Sequence, residues 1–369
     1  MTNDFIIIGG GIAGISLGAR LANYGSVKIL EMEGQPGYHA TGRSAAYFAP
    51  AYGNDVVREI TAASEAFFRN PPDDFADAAL LHPRDSLFVA RKDQRAAMDK
   101  LREDSPQLVP LNTNELKTSV PILNTAELVS GLRDPFGGDL DVHAILQGFL
   151  RQFRVQGGEL LTNTHVKALQ RQNGSWLVKT NAGDFSAAII INAAGAWADK
   201  VAMHAGLAAI GLTPLRRTAI LVDAPAELDI SEWPLIIDVD EHFYVKPDAG
   251  QLLISPADEI PSEPCDAQPD ELDIAIVVDR IQQVTDLDIT KINHRWAGLR
   301  TFSPDRSFVA GFDPRTTGFF WLAAQGGYGV QTCPALSDLA TQLLTNSHKA
   351  QTDIMVKKLG PLIAPDRFL

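Results

Sequence analysis

Three glycines near the start of the chain could do chemistry. Gly9, Gly11 and Gly14 keep the spacing Gly-x-Gly-x-x-Gly, directly after the apolar run Phe5-Ile6-Ile7-Ile8. In this arrangement the first glycine permits a tight turn, the second lets a pyrophosphate approach the backbone, and the third lets a helix lie close on its strand. Ile12 and Ala13 then open a helical pattern that runs through Ile15, Leu17 and Leu21. The unpaired N–H groups and positive dipole end of such a helix favour phosphate. Val27 to Leu30 reads as a second strand, followed by Glu31 and Met32. A carboxylate there can accept hydrogen bonds from ribose hydroxyls and disfavours a 2′-phosphate. Glycines in this spacing also occur as plain structural turns. The strand before, the helix after and the acid beyond point to a dinucleotide.

Two further segments favour FAD over NAD. Ile189-Ile190-Ile191-Asn192 is a buried strand entering the turn Ala193-Ala194-Gly195-Ala196-Trp197. Near the other end, Gly326-Gly327-Tyr328-Gly329-Val330-Gln331-Thr332 is a second glycine-rich loop, preceding a helix expected from about 334 to 344. Before both, after Glu31, the chain leaves the regular βαβ pattern for a small-residue loop carrying Arg43, Ser44, Ala45 and Ala46, a third feature that favours FAD.

These groups need rigid supports. Residues 55–68 predict an amphipathic helix with Val56, Ile60, Ala63 and Phe67 on one face. Residues 142–155 predict another, with Ile145, Leu146, Phe149, Leu150 and Phe153 as its buried stripe. Short strands are expected near 159–162, 165–171 and 174–180, and a helix near 271–284. Lys246, before Pro247-Asp248, reads as a surface charge at a strand end. Cys333 reads as a buried small residue. His39 and His242 read as structural hydrogen-bond donors or as neighbours of the active site.

Composition narrows the class. The 369 residues are 45% hydrophobic and 21% charged, as in a globular enzyme of about two domains. Forty-five acids against 32 bases give a net charge of −13, which argues against nucleic acid and anionic lipid as partners. Two cysteines make neither a disulfide framework nor a zinc pattern, and no histidine spacing supports a metal site. No basic leader precedes Phe5 and no apolar run approaches a membrane span, so the expected location is cytoplasmic.

The chain resembles the D-amino acid oxidase superfamily of flavoproteins, and within it the bacterial D-arginine dehydrogenases. The matching stretches are Gln35-Pro36-Gly37-Tyr38-His39, Thr41-Gly42-Arg43-Ser44-Ala45-Ala46, residues 61–64 and 192–197, residues 243–250, Trp296-Ala297-Gly298-Leu299-Arg300, and residues 323–332. The resemblance implies an α/β fold: a Rossmann-like FAD domain from 1–50, 142–205 and 305–369, and a discontinuous mixed-sheet substrate domain from 51–141 and 206–304. It implies FAD held by Gly9, Gly11, Ile12, Ala13, Gly14, Glu31 and Met32. Arg43, Ser44, Ala45 and Ala46 would lie against pyrophosphate and flavin, and Val166 against adenine. Ala194, Gly195 and Trp197 would line the site, and Gly326 to Thr332 would reach the ribityl chain and pyrimidine edge. Sarcosine-oxidase relatives attach flavin through a cysteine near Leu299-Arg300-Thr301, where this chain has none, so non-covalent FAD is expected.

For the substrate, the resemblance implies an amino-acid carboxylate clamped by Arg217, Tyr244 and Arg300, with the amine on the Gly327 carbonyl and hydride passing from Cα to flavin N5. Arginine suits this task because it meets a carboxylate in bidentate fashion. From the residues alone, either arginine reads equally well as a surface charge. Arg216 is expected to face away. The side-chain pocket departs from the D-arginine pattern. Ser86 replaces a glutamate, Tyr47 a histidine and Ala49 a threonine, while Tyr52 is retained. Leu235 and Ile237 would form an apolar wall, and Asp85 would point to the opposite face. An uncharged pocket desolvates a guanidinium poorly, so a neutral or hydrophobic D-amino acid is expected. Other readings are oxidation of glycine, sarcosine, proline or an opine on the same fold, or a flavin protein without turnover. The electron acceptor, quinone or oxygen, stays open.

Overall fold

The computed structural model describes residues 2–345 and 353–369. Asn3–Ile8 is the central strand of the first sheet, because its four isoleucine and phenylalanine side chains are buried on both faces. It pairs in parallel with Val27–Leu30 on one side and with Ile189–Asn192 on the other. Glu159–Leu161 extends one edge in parallel. Phe319–Ala323 extends the other in parallel, and Val309–Phe312 closes that edge antiparallel.

The strand expected from Ile189 starts earlier, as Gly183–Asn192, and joins an antiparallel and a parallel part of the same sheet. Its first half pairs antiparallel with Ser175–Thr180, which pairs with Val166–Gln172. One continuous strand thus welds a three-stranded meander onto the parallel sheet.

Ile12–Leu21, Val142–Val155 and Gly329–Thr345 pack on one face of this sheet. The expected stripe Ile145, Leu146, Phe149, Leu150 and Phe153 is buried throughout. Deleting either phenylalanine would cost about 3–5 kcal/mol.

Two expectations are corrected. The helix Asp55–Arg69 buries Val57, Ile60, Thr61, Ser64 and Phe68, and leaves Ala63 exposed. Polar pairing rotates it. Thr61 accepts a hydrogen bond from Gln331 at 2.9 Å, and Ser64 accepts one from the Ala335 N–H at 3.2 Å. The last long helix starts at Gly329, five residues before Pro334, and carries that proline inside it. Gly329 to Thr332 therefore form a first helical turn rather than loop.

The second sheet has nine strands. Thr213–Asp223 and His294–Phe302 form its longest antiparallel pair. Beyond them lie Gln251–Ser255, Tyr244–Asp248, Leu235–Asp238, Ser86–Arg91, Leu128–Asp134 and Val109–Leu111. Glu271–Val284 backs this sheet with Ile274, Val277, Ile281 and Val284 in its core. Among the described residues no helix is long and apolar enough to cross a membrane.

Candidate active site

The glycine turn has the closeness its spacing implies. A Cβ on Gly14 would stand 2.0 Å from the Gly9 carbonyl oxygen, and one on Gly9 would stand 2.4 Å from the Ala193 oxygen. Gly11, by contrast, faces open space edged by the Thr41 hydroxyl. That hydroxyl accepts from the Ile12 N–H at 3.0 Å and so fastens the loop 35–46 over the helix start. Nothing in the spacing singled out Thr41, because the pairing spans 29 residues.

Glu31 accepts from the Gly10 N–H at 2.6 Å and the Glu33 N–H at 2.8 Å. Burial raises its pKa above the ordinary value, against the lowering pull of those two N–H groups. Each carboxylate oxygen keeps a second lone pair for a hydroxyl donor.

A single cavity of about 400 Å³ runs from this end to the second sheet. Its lining includes Gly9, Gly11, Ile12, Ala13, Glu31, Met32, Arg43, Ser44, Ala45, Val166, Ala194, Gly195, Trp197, Gly326, Gly327, Gly329 and Val330. Gly14 stands behind the turn. Tyr328 is turned into the rings of Tyr52, Phe302 and Phe308, and burial pushes its phenol up. Gln331 ties residue 49 through the Ala49 N–H at 3.1 Å, and the Thr332 hydroxyl donates to the Tyr328 carbonyl at 2.8 Å. Ala46, at φ 56°, borders a second cavity with Arg84, Asp139 and Lys246. Arg43 spends its guanidinium on the Ala267 and Ala297 carbonyls and on Asp266, binding its loop to the second sheet.

The far end of the cavity is lined by Arg217, Tyr244, Arg300 and Gly327. Sheet register explains how three of these meet. Arg300 lies opposite Leu215, and Arg217 opposite Gly298, so the two arginines are diagonal neighbours on one face. Tyr244 lies opposite Ser255 and Ile237, and Leu235 opposite Ser86, which extends that face across four more strands. Arg216, on the other face, pairs with Asp273 at 2.6 Å as expected. Asp85 pairs with Arg133 at 3.4 Å, away from the site.

Charge on this face is uneven. Among the described residues Arg300 has no ion-pair partner. Burial works against its charge, but Tyr244, Tyr52, Tyr328 and Glu241 outweigh burial and hold its pKa above the ordinary value. Arg217 is 7% exposed and donates to Glu259 at 3.1 Å, while its Nε has no partner among the described residues. Burial, and then the Arg300 charge, lower its hold on the proton. Arg306 clasps the same Glu259 at 2.7 and 3.0 Å. Tyr52 donates to Glu241 at 3.3 Å beside this cluster.

Tyr47, Tyr52 and Ser86, with Leu235 and Ile237, do not line the cavity. The Tyr47 hydroxyl donates to the Arg84 carbonyl at 2.7 Å, and Ser86 is buried beside it. His39 lines the cavity and meets Glu33 at 2.8 Å. His242 lies with Asp238 and Asp240 at a hairpin, where Gln94 already donates to both carboxylates. Cys333 is buried, and burial pushes its thiol up.

Lys246 corrects the surface reading. It is 3% exposed and pairs with Asp139 at 2.9 Å. Strand alternation from Tyr244 would have placed it on the inner face. Glu241, Glu259 and Arg306 were missed as site residues because they sit in turns, where no periodicity reports direction.

A largely parallel central sheet with a glycine turn, an acid beyond it, and a cavity running from them to the second sheet define a dinucleotide-binding fold. The family described as "FAD dependent oxidoreductase" (DAO) matches residues 4–343, and the chain belongs to it. It is 24% identical to human mitochondrial dimethylglycine dehydrogenase over 69% of this chain and 30% of that one. The chain thus spans less than half the length of that relative. Its fold is similar to L-proline dehydrogenase from P. horikoshii, with TM-score 0.84, 21% identity and coverage of 100% and 98%. Glycine oxidase from Geobacillus kaustophilus gives TM-score 0.83, 19% identity and coverage of 94% and 95%.

Proposed function

We propose that this protein oxidises the Cα–N bond of a D-amino acid with a neutral side chain, giving an imino acid that hydrolyses to a 2-oxo acid and ammonia. The observation that carries this is the unpaired Arg300 guanidinium at the end of the cofactor cavity, on the same sheet face as Tyr244 and Arg217. FAD, when bound, accepts the hydride from Cα.

Arg300 holds the carboxylate in a charge-assisted pair, and Tyr244 adds a phenolic donor. Arg217 contributes positive field. The Gly327 carbonyl accepts from the amine, which fixes Cα between the glycine-rich loop and the sheet. Positioning of this kind supplies much of the rate, because the reactants are held in one geometry. Ile237, opposite Tyr244 on the same sheet face, would supply apolar surface beyond the clamp.

FAD is held non-covalently in this reading, by the glycine turn, the loop 43–45 and the first turn of the helix that starts at Gly329. In this reading 1–50, 142–205 and 305–369 carry the cofactor, and 51–141 with 206–304 carry the substrate face.

A second reading keeps the residues and changes the substrate to glycine or a secondary amine such as proline. The names of the similar proteins, proline dehydrogenase, glycine oxidase and dimethylglycine dehydrogenase, favour it. Anaerobic bleaching of the flavin by a panel of D- and L-amino acids, glycine and proline separates the two. No bleaching by any of them would reject both.

A further inference from the structure

We propose that Glu259 makes the site selective for one carboxylate, by occupying Arg217 so that Arg300 alone presents an unpaired guanidinium. This rests on the reading above, in which the substrate carboxylate meets Arg300.

Two arginines on one sheet face, diagonal to each other, would by themselves suit a dicarboxylate. The surrounding chain prevents that. Glu259 reaches in from the segment after Gln251–Ser255 and accepts from Arg217 Nη2 at 3.1 Å. It is fixed from outside by Arg306, whose Nη1 and Nη2 donate to its two oxygens at 3.0 and 2.7 Å. Arg306 is itself held, with its guanidinium 3.9 Å from the centre of the Phe302 ring. Phe302 ends the strand that carries Arg300. The fork of Arg306 therefore holds Glu259 against Arg217.

The charge balance has the same sense. Arg217, Arg300 and Arg306 face Glu241 and Glu259, which leaves one positive charge uncompensated. One carboxylate neutralises it. A second carboxylate would meet an arginine already paired and two glutamates nearby, and like charges in a partly desolvated site repel. Glu259 touches Arg217 rather than substrate and is a positioning residue.

The test uses the FAD-loaded protein and follows the visible flavin spectrum as acetate, propionate, malonate or succinate is added at constant ionic strength. In the parent protein the monocarboxylates should bind at least as tightly as the dicarboxylates. Glu259→Gln should raise the dicarboxylate-to-monocarboxylate affinity ratio about tenfold, the scale of one charged hydrogen bond. Arg306→Gln removes the fork that holds Glu259 and should raise the same ratio by a smaller factor, about two- to threefold. A ratio in Glu259→Gln that stays within about twofold of the parent overturns the proposal. If that variant does not fold, Arg306→Gln decides, and a ratio equal to the parent's overturns the proposal. If no carboxylate perturbs the parent flavin, the substrate reading itself fails and this proposal falls with it.

Discussion

The Arg300 guanidinium rests against the backbone of Gly327: a methyl group there would stand 2.9 Å from Nη1 and 3.0 Å from Cζ. One residue lies in a strand of the second sheet, and the other lies in the loop that leads into a helix on the first. Both line the cavity, so its far end is assembled from both sheets.

Gly327→Ala should therefore act through Arg300. The far end of an arginine yields more readily than backbone, so stability should change little while the guanidinium is displaced. KM for the best substrate should rise about tenfold, and Arg300→Met should raise it about ten- to a hundredfold or abolish turnover. Steady-state kinetics with an artificial electron acceptor checks both. Unchanged kinetics in Arg300→Met would remove the carboxylate clamp.

Side-chain preference is the next test. The face beside Tyr244 carries Ile237 and Leu235, with Ser86 buried behind them. Neutral D-amino acids should reduce the flavin faster than D-arginine or D-lysine in anaerobic stopped-flow mixing. A clear preference for D-arginine would mean that an acid such as Glu241 serves the side chain.

Flavin attachment can be tested simply. Neither Cys265, which lines the cavity, nor buried Cys333 stands in the segment Leu299-Arg300-Thr301. Acid precipitation should leave a colourless pellet and a yellow supernatant. A yellow pellet would overturn non-covalent binding.

Glu31 predicts a pH dependence. Burial raises its folded-state pKa above the ordinary 4.5, so its contribution to stability is largest below that value. The contribution declines as pH rises through the folded-state pKa, because the unfolded chain then releases its proton more readily. In FAD-free protein, Glu31→Gln should gain on the parent in urea unfolding as pH goes from about 4 to about 7. A constant difference across that range would show that Glu31 is not strained by burial.

Much of this protein was legible in its sequence. The glycine turn, the central strand Asn3–Ile8 and the helices Val142–Val155 and Glu271–Val284 follow from local pattern, because strand and helix periods write burial directly into residue order. Resemblance then supplied Arg217, Tyr244 and Arg300, and sheet register places all three on one face. Local pattern failed where distant polar pairs decide. Thr61 and Ser64 turn their helix toward Gln331 and Ala335, against the apolar stripe. Lys246 is drawn inward by Asp139, 107 residues away. Only the tertiary structure could decide that Arg300 stands unpaired while Arg217 is held by Glu259. Which charge stays free depends on which turns fold back to meet it, and turn residues carry no period from which that direction could be read.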